Sequence, residues 1–489
     1  MMHAATQAIS RRAGFLADAA IVMLELFGLL LLVGWITLLS DSTDSELAST
    51  GFGVFMMINW LVVLACSLFV PIYVAAKFAA ERSGVAADLL YTTTISPISI
   101  VLGKITVSMM LALLLVSCAT PYMVLSYLLR GIDLPTIGVV LVVDILIITL
   151  CSTAAIMVAA LNASIVVRVI LGFILFPFLF VVVIGSTGMF FQFYTSVSQF
   201  TPNTWLHLAS TAGSFIGLSI MFASLAVSMI SSSQSDRAWL PRLVAVLLWG
   251  VSLFAMWRIA LADSDPEAIE VWATAWIMYA CIALTISSGG RRTIGIRLRR
   301  QLPRFAPLRA VRVLFMSGVG TGVLWSTLLG IATLAALAIG QSSFGRDPLN
   351  HVSAFGASLL MYTIGFTLIA IMIYDRFLEH RVGPSATAPL AIVLVSIMSA
   401  VPVIVGMSMG DANWELSQRL QDLSPFGTPN FSQFGFQRET HPAILASGIL
   451  AFGMIALRLR WLFAQLAQYR PVDRRELAGT TPDEPEATA

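Results

Sequence analysis

GVVLVVDILIITLCSTAAIMVAAL, residues 138–161, carries one charge, Asp144, in 24 positions. An α-helix rises about 1.5 Å per residue, so this run is long enough to cross a hydrocarbon layer about 30 Å thick. Inside such a layer the backbone must satisfy its own hydrogen bonds, and a lone apolar run can do so only as a helix. Comparable runs stand on either side, at 21–39, 54–76, 105–129, 169–190, 214–230, 243–261, 271–287, 313–339, 353–374, 389–409 and 443–463. The 489-residue chain is 58% hydrophobic and 11% charged, with a mean hydropathy of +0.89. That is too little charge to clothe a soluble protein of this size. The predicted fold is an all-α polytopic membrane protein with about twelve transmembrane helices.

With the N-terminus inside, all but five of the 28 Lys and Arg fall on the cytoplasmic side; the five are Arg130, Arg258, Arg346, Arg419 and Arg438. The segment 289–312, GGRRTIGIRLRRQLPRFAPLRAVR, has eight Arg and no acid, whereas 263–270, DSDPEAIE, has no base. The expected placement is therefore a bacterial inner (plasma) membrane, multi-pass, with both termini cytoplasmic. Arg11 and Arg12 precede an apolar run too long for a cleavable signal, so that run is expected to remain as a span. Cys66, Cys118, Cys151 and Cys281 all lie in apolar runs and read as reduced packing residues, with no metal set among them. The tail 465–489, rich in Pro, Glu and Thr from Pro471 onward, reads as disordered and cytoplasmic.

The connection between the second and third runs is unusual. Residues 75–104 read AAKFAAERSGVAADLLYTTTISPISIVLGK. The second span is expected to continue as a helix to Arg82, until Gly84 loosens it. Residues 85–92 allow about two helical turns with Val85 and Leu89 apolar and Asp88 polar, an amphipathic segment too short to be stable without a surface to bind. Thr92, Thr93 and Thr94 disfavour further helix; Ser96 followed by Pro97 is an N-cap with proline at the first helical position. Gly103 and Lys104 then lead into the third span. An interfacial helix lying on lipid accounts for the same pattern.

In order, Glu81-Arg82, Gly84, Asp88-Leu89-Leu90, the threonine turn around Thr93, Ser96-Pro97 and Gly103-Lys104 resemble the first cytoplasmic loop of the permease subunits of type-2 ABC exporters. The resemblance extends more loosely through Pro121, the turn 130–133 and the stretch 162–164, covering about residues 15–233. It implies a six-helix unit whose loop, 77–104, docks as a coupling helix on a separate ABC ATP-binding subunit. ATP and Mg would be held by that partner, with no cofactor on this chain. The chain itself has no Walker A loop, since the residue six before Lys104 is Ile98 and the one after it is Ile105. No His-Glu-x-x-His pair, Gly-x-Ser-x-Gly elbow or Cys-His cluster appears either, so the chain is not expected to be an enzyme.

Residues 234–464 read as a second, diverged six-helix unit, each half having an extended cytoplasmic loop after its second span and a Pro- and Phe-rich outer loop before its last, at 192–213 and 410–441. The Arg-rich loop 289–312 lacks the Thr-turn-Ser-Pro pattern and suits either a partner or anionic lipid headgroups. Asp144 is a candidate pathway residue, because a mid-membrane acid should face other helices, a wet cleft or a base. Glu25 and Arg258 sit near span ends, where snorkelling explains them. Membrane lipids are expected partners and nucleic acid is not; a homodimer or a second permease chain stays open. The rival functions are an ion-gradient-driven secondary transporter and a non-transporting membrane assembly subunit.

Overall fold

The computed structural model describes residues 46–81, 96–128, 132–161, 168, 170–172, 175, 179, 201–231, 235–300, 302–303, 305–347, 351–408, 424 and 441–469. Among them every regular element is helical: α1 (Glu46–Glu81), α2 (Pro97–Leu128), α3 (Leu134–Ala160), α4 (Pro202–Ile230), α5 (Trp239–Asp263), α6 (Glu267–Ser287), α7 (Ile296–Arg299), α8 (Ala306–Phe315), α9 (Val319–Ser343), α10 (His351–Ile373), α11 (Thr387–Ser408) and α12 (His441–Ala467). Ten contain stretches long and apolar enough to cross a bilayer. The protein is an all-α multi-pass membrane protein. The run at 21–39, most of 169–190, and the segment 410–440 apart from Ser424 lie outside the described residues.

Contacts divide the chain into two compact units, Met1–Ala226 and Val227–Ala489. In the first, α3 is the central helix. One of its faces meets α1 and α2, with Ile137, Val140 and Ile148 packed on Phe55, Ile58, Val62 and Cys66 of α1 and on Ala112, Val116 and Met123 of α2. Another face carries Val143, Ile147, Leu150 and Cys151, which pack on Val63 of α1 and Phe215 of α4. The three- and four-residue spacing of these positions is that of a helix face. By contrast α2 leaves Leu102, Val107, Met110 and Leu114 exposed, as suits a helix whose other side meets lipid. Pro71, which is buried, interrupts α1 ten residues before its end and removes one hydrogen bond from its ladder.

In the second unit α6, α9 and α10 form the core, joined through Cys281, Leu284, Val323, Leu360 and Leu368, with Ala451 and Met454 of α12 against them. Glycine lets these helices close up: a Cβ on Gly356 would stand 2.5 Å from Ile277, and one on Gly365 would stand 2.7 Å from Leu450. The turn between α5 and α6 spans only Ser264–Pro266, with Ser264 left-handed at φ 57°.

Three boundaries differ from the sequence reading. The outer loop expected over 192–213 is helical from Pro202, because the Thr204 N–H donates to Thr201 Oγ1 (3.3 Å) and proline follows the cap. The Arg-rich loop contains two helices, and α8 turns the apolar residues Leu308 and Val311 outward, with Phe305 exposed just ahead of it. Finally, α12 continues to Ala467 and Tyr469 beyond it is buried, so order persists past residue 465.

Candidate functional site

The end of α1 and the start of α2 meet at one ion pair. Lys104 Nζ lies 2.6 Å from Oε2 and 2.8 Å from Oε1 of Glu81, and 5.9 Å from the centre of the Phe78 ring. Phe78 is buried, while the Glu81 side chain is about half exposed, at 47%. A pair this open contributes at most about 1 kcal/mol to stability. Its effect is geometric: it ties the last residue of α1 to α2 at a point about two turns into that helix, and so bridges the segment 82–95. Of the residues predicted for the coupling loop, Glu81 and Lys104 are thus brought into contact across 23 positions of sequence.

Ser96 and Pro97 do what the sequence pattern requires. The Ser99 N–H donates to Ser96 Oγ at 3.2 Å, capping α2, and Pro97 is its first residue. Gly103 sits one residue before the pair, exposed, with nothing within 4 Å of the place a Cβ would occupy. Arg82, Gly84, Asp88, Leu89, Leu90 and Thr93 lie outside the described residues. Asp144 is not part of this cluster; it is buried in α3, bonded to Asn59 of α1. Asn59 was not singled out from sequence, although an amide inside an apolar run is a visible signal.

The second unit holds polar networks that the sequence reading missed, two of which involve the Arg-rich segment or its link to α9. In one, Asp375 receives Arg292 and Arg458 together, with Arg458 Nη1 at 2.9 Å from Oδ2 and Arg292 Nη1 against Oδ1. The Arg292 guanidinium also lies 4.4 Å from the Tyr374 ring, and burial pulls it below the usual guanidinium range. Tyr374–Leu378 forms a π-helical turn, which aims Asp375 at bases from two other segments. In the other, buried Arg242 donates through Nη1 to the carbonyls of Leu314 (3.0 Å) and Met316 (2.6 Å). Asp236 accepts the Ser317 N–H at 2.9 Å, and the Tyr469 hydroxyl donates to the Ser317 carbonyl at 3.0 Å. Burial pushes the Tyr469 phenol up, so it stays neutral and remains a donor. Together these bonds fix the short link between the Arg-rich segment and α9.

Asp375→Asn is expected to destabilise the second unit by about 1–3 kcal/mol, because it leaves two partly buried guanidinium groups on one neutral amide. Thermal unfolding of the purified protein in detergent would show the loss as a lower midpoint; a midpoint equal to wild type would mean that solvent already screens the three charges.

Among the described residues no group of three His, Cys, Asp or Glu side chains is placed to hold a metal ion. Compared with protein-family profiles, curated proteins and solved structures, the chain matches none of them.

Proposed function

We propose that this chain is the membrane-spanning permease subunit of a transporter whose ATP is hydrolysed in a separate ATP-binding subunit, in the manner of type-2 ABC exporters. The observation that carries the reading is the Glu81–Lys104 pair. A loop that only connects two spans has no need to have its ends clasped, whereas a loop that transmits force must move both attached helices together. The ordered pattern from Glu81 to Lys104 supports the same reading, as do the apolar helices suited to a transporter. On this proposal the segment 82–95 seats on the partner, and closure of the partner around ATP displaces the ends of α1 and α2 as a pair. The chain sits in the bacterial inner membrane with that loop and both termini on the cytoplasmic side, as the basic residues favour.

The test is site-directed crosslinking. Single cysteines at Asp88 and Thr93, in a background lacking the four native cysteines, are expected to crosslink to a co-expressed ATP-binding subunit. Labelling by lipid-phase reagents alone, with no crosslinked protein, would refute the assignment. The second reading, transport driven by an ion gradient, is favoured by one observation, the buried acid Asp144.

A further inference from the structure

Asp144 on α3 is 4% exposed and Asn59 on α1 is 1% exposed. The Asn59 side chain hydrogen-bonds the carboxyl, and since its amide nitrogen is its sole donor, the bond runs from Nδ2 to Oδ1. Two oxygens then remain: Asp144 Oδ2 and Asn59 Oδ1 are both buried and have no hydrogen-bond partner. Both are acceptors, so neither can satisfy the other as the atoms stand. Two unfilled acceptors, one of them on a carboxyl group, are costly deep in a helical bundle.

What would fill them can be narrowed by chemistry. A metal cation asks for about six oxygen ligands. The positions one helical turn from Asn59 and Asp144 on their own helices include Val62, Val63, Val140, Ile147 and Ile148, which offer no side-chain oxygen. The packed helices also carry Cys66, Tyr73, Lys77 and Glu81 on α1, Lys104, Cys118, Tyr122 and Tyr127 on α2, Cys151 on α3 and His207 on α4, and of these Cys66 is close enough to feel the charge of Asp144. A single proton answers both vacancies: placed on Oδ2, it turns that atom from acceptor to donor.

We propose that Asp144 and Asn59 form a proton-binding site between α1 and α3. The proton sits on Asp144 Oδ2 and donates to Asn59 Oδ1, while Asn59 Nδ2 donates to Asp144 Oδ1, closing an acid–amide ring. The proton comes from water and returns to it, and no electrons move. Bound, it leaves no net charge in the bundle and fastens α1 to α3. Released, it leaves a carboxylate that drives the two helices apart or draws water between them. The site does not depend on the ATP-binding partner.

Infrared difference spectroscopy of the full-length protein in lipid nanodiscs tests this without any transport assay. At neutral pH the wild type is expected to show the carbonyl stretch of a protonated carboxyl group that is absent from Asp144→Asn. Asp144→Asn should fold, since an amide pair can close the same ring. In Asn59→Leu the band should persist and move to higher frequency, having lost its amide donor and acceptor. Superimposable spectra of wild type and Asp144→Asn would overturn the proposal, as would a band that ignores Asn59→Leu. Sodium and potassium titrations of the wild type should leave the band unchanged; its loss on adding either ion would assign the site to a metal cation instead.

Discussion

Glu81→Lys is expected to reduce substrate-coupled ATP turnover of the reconstituted complex at least tenfold while the protein remains inserted and monodisperse. The substitution sets two ammonium groups against each other where a carboxylate and an ammonium now stand 2.6 Å apart, so the ends of α1 and α2 separate. Fold stability should change by only about 1 kcal/mol, as the pair is open to solvent. The double exchange Glu81→Lys with Lys104→Glu restores opposite charges and should recover most of the turnover. Leu89→Asp should give the same loss through a different link, by placing a charge on the apolar side of the segment that the sequence makes amphipathic, where an unpaired charge in a docking cleft costs several kcal/mol. Near-normal turnover in both Glu81→Lys and Leu89→Asp would dispose of the coupling role; a lipid-surface helix tolerates both.

The second large effect concerns Gly322 in α9. A Cβ there would lie 2.5 Å from Ser287 Cβ, 2.8 Å from Ser287 Oγ and 3.0 Å from Arg242 Nη2. Ser287 Cβ is fixed to the α6 backbone and cannot swing aside, so α6 and α9 must part. Gly322→Ala should therefore cost about 1–3 kcal/mol, and more if Arg242 loses its carbonyl partners. A lower thermal midpoint measures the effect, and Ser287→Gly in the same chain should recover much of it by vacating the contested space. A Gly322→Ala protein as stable as wild type would mean that the two helices are not held at this distance.

Gly322 also shows which parts of the structure the sequence reveals. The apolar runs were legible because a bilayer imposes its requirement on each stretch locally, whatever the rest of the chain does. The cap at Ser96-Pro97 was legible for the same reason, and Thr201-Pro202, which carries the same local signal, was overlooked amid a Phe-rich stretch read as loop. Contacts between distant residues leave no such mark. Nothing near Asp375 announces Arg292 and Arg458, and nothing near Gly322 announces Ser287. For the candidate site, the residues at either end of the loop could be named from their order, but their meeting as an ion pair depends on α1 and α2 lying side by side. Asp144 was conspicuous as a lone acid, whereas its partner Asn59 mattered only once α1 was packed on α3.

Pro71 gives α1 a place to bend. Glu81 lies ten residues beyond it, about 15 Å along the axis. An arm of that length converts a bend of about ten degrees into a displacement of roughly 2–3 Å at its tip, half the pitch of a helical turn. Proline kinks tolerate such angles because the missing hydrogen bond has already removed the restraint. The part of α1 that packs against α3 can then stay in register while the clasped tip swings and takes the start of α2 with it. The stroke available at the loop is thus set by one arm and one angle, and shortening the arm by deleting a full turn between Pro71 and Glu81 would shrink it in proportion.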